Sequence, residues 1–162
     1  MKKVLIAAVL TTAPFLAIGD DSGVAKEGKW LMSKEENKLT DKVDIYGMLS
    51  ASKGRGSLII RCKNNTTDAY FSIDSYLGSD DSTAITTRID GAKPVKSSWV
   101  MGEGGDAAFP PKALSFIKSL HGKKELIVGY RPYGKSQLIS EFDLSGIDNV
   151  IDGVSAACGW KM

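Results

Sequence analysis

At 162 residues, with 43% hydrophobic and 25% charged residues and a formal net charge of +2, the chain has the length and composition of one globular domain with a substantial core. It is too apolar for a disordered chain and too evenly charged for a nucleic-acid or anionic-membrane binder. Its 17 glycines against 5 prolines point to many turns and a strand-rich fold.

The first nineteen residues read as a secretory signal peptide. Lys2 and Lys3 form a basic start, Val4 to Ile18 is a short apolar run broken by Thr11, Thr12 and Pro14, and Ala17-Ile18-Gly19 supplies small residues for cleavage after Gly19. The run is too short and interrupted for a membrane anchor, and no Cys follows it for lipid attachment. Shedding it removes two lysines and leaves 19 basic against 19 acidic residues, a nearly neutral chain. Residues 20–162 read as a single domain.

Asp20 to Lys29 reads as a flexible lead-in, Trp30-Leu31-Met32 as the first apolar cluster, and Ser33 to Lys42 as a charged loop. The Glu35-Glu36 pair in that loop reads as solvated rather than catalytic. Lys42 to Ser50 alternates, with Val43 and Ile45 on one face and Asp44 and Tyr46 on the other, the pattern of a strand. Ser57 to Ile73 reads as a hairpin. Leu58, Ile60 and Cys62 share one face, Arg61 and Lys63 the other, and Asn64-Asn65-Thr66-Thr67 is turn chemistry. Ala84 to Asp90 and Val95 to Met101 read as further strands around the Asp90-Gly91 turn, followed by a glycine-rich loop from Gly102 to Ala108.

Two helices are legible. Pro110-Pro111 opens the first, Ala113, Leu114, Ile117 and Leu120 recur at helical spacing, and Gly122 closes it. Strands follow at Glu125 to Arg131 and Ser136 to Leu144. Ser145 then reads as the cap of a second helix, with Asp148 in the capping-box position. Ile147, Val150, Ile151, Val154 and Cys158 form its buried stripe. Strands, helix, two strands, helix is not a regular βαβ alternation. The expected fold is α+β, a mainly antiparallel sheet or small sandwich with two packed helices.

The chain has two cysteines, Cys62 and Cys158. In an exported protein they read as one disulfide, the alternative being two buried thiols. Catalytic chemistry is not evident. The sole histidine, His121, sits at a predicted helix end among lysines, where it serves as a helix-terminal cation. No G-x-S-x-G motif and no free Cys-His pair occurs. One His and two paired cysteines supply no zinc site, so no metal or cofactor is expected. Weak binding candidates are Arg61 and Arg88, which suit anion recognition or sheet-surface pairing, and Trp99, which suits a sugar face or the core.

Taken together, Lys29-Trp30, the run from Leu58 to Thr67, Thr87-Arg88-Ile89-Asp90, Trp99, Phe116-Ile117, the run from Phe142 to Ile147 and Cys158-Gly159-Trp160 resemble the VasI/EvfG family, also called TagO. These are small exported proteins associated with type VI secretion systems. The resemblance spans nearly the whole chain after the leader. It implies a non-enzymatic accessory role in the periplasm or outside the cell, with an envelope or secretion-system protein as partner and no catalytic residues to carry over. The other readings are an inhibitor of a cell-wall hydrolase such as lysozyme and, third, an envelope enzyme acting on carbohydrate.

Overall fold

The computed structural model describes residues 23–162, so the expected signal peptide lies outside the described residues. The fold is α+β. Ten strands form one antiparallel sheet, joined by two helices. In chain order the elements are β1 (Val24–Glu27), β2 (Trp30–Asn37), β3 (Lys42–Ser50), β4 (Ser57–Lys63), β5 (Thr66–Ser72), β6 (Ser82–Ile89), β7 (Val95–Met101), β8 (Ala107–Phe109), α1 (Ala113–Leu120), β9 (Glu125–Tyr130), β10 (Leu138–Asp143) and α2 (Ile147–Cys158). Across the sheet the order is β1-β2-β3-β4-β5-β8-β7-β6-β9-β10.

The sheet curls over its own core. Phe71 on β5 meets Tyr130 of β9 edge-on at 5.2 Å and Phe142 of β10 at 5.6 Å between ring centres. Strands distant in the sheet order therefore face one another across the interior. The segment between β3 and β4 completes the fold-over by bridging Lys53 to Glu141 on β10. Leu58, Ile60 and Cys62 all point inward and are fully buried, as their alternation requires. The β4–β5 turn is Asn64-Asn65, with φ of 51° and 60°. Both residues are left-handed, the conformation that a two-residue hairpin turn favours and asparagine tolerates.

Four sequence expectations need correction. Asp20 to Lys29 contains strand β1, and the first half of the expected loop from Ser33 to Lys42 belongs to strand β2. Both are strands of a peripheral hairpin with few buried side chains, so apolar alternation could not reveal them. Part of the glycine-rich loop forms the short strand β8. Ser145 does not cap α2: the N-cap is Gly146, and the Ser145 hydroxyl donates instead to Asp143 Oδ1 at 2.6 Å. Asp148 is likewise turned outward, accepting from the Gly122 N–H at 2.7 Å.

Helix α2 is fastened at both ends. Its last residue, Cys158, is bonded to Cys62 on β4. Trp160, just beyond, donates from Nε1 to Thr67 Oγ1 at 2.8 Å. In the middle, α2 sits directly on β3 at Gly47, where a Cβ would lie 2.5 Å from Val150 Cγ1. At its start, α2 meets the β1–β2 turn. Lys29 Nζ lies 2.8 Å from Asp143 Oδ2, and Asn149 Nδ2 donates to Glu27 Oε2 at 2.7 Å.

Asp143 gathers charge-assisted bonds from Lys29 and from the hydroxyl and N–H of Ser145, and these hold its carboxyl well below the usual carboxylate range. A carboxyl more acidic in the fold than in the unfolded chain contributes stability that is complete above about pH 4 and fades as pH falls further. Urea midpoints measured from pH 5 down to pH 2 should therefore fall more steeply for wild type than for Asp143→Asn. Both partners are well exposed, so screening keeps the difference within about 1 kcal/mol. Parallel curves would remove Asp143 from the acid response.

Candidate functional site: an apolar row on the outer sheet face

The outward face of the sheet carries a row that the register assembles from six strands. Leu31 of β2 pairs with Met48 of β3, Met48 with Ile59 of β4, and Ile59 with Tyr70 of β5. The Tyr70 ring stacks on Phe109 of β8 at 4.9 Å, and Phe109 pairs with Val100 of β7. At the ordinary spacing of paired strands the row is about 24 Å long. Leu31, Met48 and Val100 remain 38%, 39% and 55% exposed.

Polar rows flank it on both sides. On one side Ser50, Ser57 and Ser72 are paired across β3, β4 and β5. On the other run Ser33, Tyr46, Arg61 and Asp68. An apolar stripe with a polar rim is the usual composition of a protein-docking surface. At the β1 end the row sinks into a groove of about 340 Å³, whose lining includes Val24, Leu31, Met48, Ile59 and Tyr70. A second concavity of about 410 Å³ lies over β6 and β9, with polar walls that include Thr86, Lys96, Arg131 and Gln137.

Of the residues singled out in the sequence, Arg61 stands at the rim of the row. Its Nη2 lies 3.1 Å from Asp68 Oδ2, and its guanidinium covers the Tyr70 ring at 5.2 Å. That pairing stiffens the rim and leaves little of the cation free for a ligand. Arg88 is elsewhere, clasping the β6–β7 turn through the carbonyls of Ala92 at 3.0 Å and Gly91 at 2.9 Å. Trp99 points inward, is 2% exposed, donates to Ser97 Oγ at 3.0 Å and packs edge-on against Phe116 at 5.3 Å. The structure does not bring these three together. Cys62 and Cys158 form the disulfide, with sulfurs 1.99 Å apart.

His121 Nε2 lies 3.8 Å from Asp148 Oδ1 at the exposed end of α1. Among the described residues no group of three or more His, Cys, Asp or Glu side chains is placed to hold a metal ion.

Sequence reasoning missed the row because each strand contributes one member. The signal was present as broken alternation. Leu58-Ile59-Ile60, Tyr70-Phe71 and Trp99-Val100-Met101 place apolar residues side by side, so each such strand carries one on its outward face.

No protein-family profile matches the chain, and no curated protein matches it by sequence. Among solved structures it is similar to invasion associated protein B from Bartonella henselae. The TM-score is 0.56 at 12% identity, covering 82% of this chain and 95% of that one. The likeness is one of fold.

Proposed function

We propose that this protein is a non-enzymatic interaction module of the cell envelope, periplasmic or secreted, serving a type VI secretion system as an accessory protein. The observation that carries the interaction reading is the polar-rimmed apolar row from Leu31 to Val100. The secretion-system assignment rests on the sequence resemblance to the VasI/EvfG family. The disulfide supports an oxidising compartment. No helix among the described residues is long and apolar enough to cross a membrane.

A photo-crosslinking amino acid at Met48, in cells that make the protein, tests the reading. The expected result is an adduct with a sheath, spike, baseplate or membrane-complex protein of the secretion machine. A second change, Leu31→Lys, should reduce that adduct by at least about tenfold, since it puts an uncompensated charge into the contact. Leu31 is partly exposed on the outer face, so the change should leave the fold intact by circular dichroism. Absence of the adduct, together with inhibition of lysozyme by the purified protein, would replace this reading with the hydrolase-inhibitor one.

A further inference from the structure

The two edges of the sheet are finished differently. The β10 edge is covered. Lys53 and Ser52 donate backbone N–H groups to the Glu141 carbonyl, at 3.4 and 2.7 Å, and Glu141 N–H donates back to Lys53 O at 2.9 Å. Ser140 Oγ donates to the Arg55 carbonyl, and the Lys53 ammonium lies 2.9 Å from Glu141 Oε2. The β1 edge has no strand beyond it among the described residues.

Register says which groups that edge presents. Val24 pairs with Ser33, and Lys34 N–H donates to the Gly23 carbonyl at 3.2 Å. Gly23, Ala25 and Glu27 therefore bond towards β2, while Val24 and Lys26 turn their N–H and C=O groups outward. The Val24 and Lys26 side chains share the outer face with the apolar row: Lys26 is paired with Leu31, and Val24, 53% exposed, lines the groove. Lys26 has no ion-pair partner among the described residues. The edge is also held in place, since the β1–β2 turn is pinned to the end of β10 by the Lys29–Asp143 contact and to the start of α2 by the Glu27–Asn149 contact. A strand that is already ordered loses little freedom on docking.

We infer that β1 is a strand-addition edge, and that its occupant is an extended segment of a partner protein with an apolar and an acidic side chain two residues apart. Backbone bonding to Val24 and Lys26 holds the segment. Its apolar side chain leans over Val24 into the groove beside Leu31 and Met48, and its carboxylate meets Lys26. This is recognition by sheet extension, with the main chain giving affinity and the alternate side chains giving selectivity. It rests on the interaction reading above and specifies how the β1 end of the row is used.

The probe is a labelled synthetic decapeptide of alternating isoleucine and threonine, with one isoleucine replaced by aspartate, titrated into the purified exported protein. Binding should protect the Val24 and Lys26 amides from hydrogen exchange. Lys26→Glu should weaken binding at least about fivefold. Val24→Pro removes an outward N–H that β2 does not use, and should weaken it about as much. A peptide N-methylated at alternate residues on its pairing side should not bind.

If the N-methylated peptide binds equally well, or the decapeptide does not bind at all, strand addition is wrong. The interaction reading would survive wherever the Met48 adduct persists. Protection of both amides before any peptide is added would also overturn the inference. In a dimer it would assign the edge to a second copy, and in a monomer to the chain's own upstream residues.

Discussion

Replacing Cys62 and Cys158 with alanine together should lower the melting temperature by roughly 10–20 °C. The bond joins residues separated by 96 positions. In the chain-entropy treatment a loop of that size contributes about 4–5 kcal/mol by restricting the unfolded state. Cys62 is fully buried on β4, and Cys158 is the last residue of α2. The Trp160–Thr67 hydrogen bond of 2.8 Å and the packing of Val154, Ala157 and Trp160 on the core would remain to hold the end of the helix to that part of the sheet. Calorimetry of the double variant, and of wild type under reductant, should give coincident curves. A shift of only about 2 °C or less would mean that packing alone secures the helix.

Gly146→Ala should be nearly as damaging, for a different reason. Gly146 has φ of +92°, and a Cβ there would lie 2.2 Å from the Glu27 carbonyl oxygen and 2.6 Å from its carbon. The obstacle is backbone, which no rotamer change relieves. Across the same contact, a Cβ on Gly28 would lie 2.3 Å from the Ser145 carbonyl oxygen. Two glycines thus let the β1–β2 turn lie directly against the start of α2.

Gly122→Ala is the control. It also has positive φ, +68°, but its Cβ would meet nothing within 4 Å. Alanine at 122 should cost about 1 kcal/mol, the penalty of the left-handed backbone alone. Alanine at 146 should cost about 3 kcal/mol or more, because the hairpin must move off the helix. Denaturant midpoints for the pair would separate the two terms, and equal midpoints would remove the contact from the account. The displaced hairpin should also bind the alternating decapeptide more weakly, since β1 would lose its support.

The parts of the fold that could be read from the sequence are those where burial imposes a period. Leu58, Ile60 and Cys62 declared their inward face by alternation, and Ile147, Val150, Ile151 and Val154 declared theirs by helical spacing. Asn64 and Asn65 marked a turn because few other residues accept positive φ. Strands β1 and β2 gave little signal, since their hairpin buries few side chains and is held mainly by main-chain pairing. The α2 cap was misplaced because Ser145 has a better partner in Asp143, and nothing local distinguishes the two arrangements. The apolar row was beyond reach for another reason. Its members become neighbours only through strand pairings such as Val100 with Phe109, and a sequence does not state its register.

The span between the two sulfurs has a consequence for biogenesis. Between Cys62 and its mate lie β5 through β10 and almost all of both helices. A chain emerging from its amino end presents a solitary thiol until all of that has followed. Throughout that interval an oxidant can join it only to another molecule. Mixed dimers through Cys62 are thus the expected by-product of hurried expression, and slow oxidation after complete emergence is the condition that favours monomer.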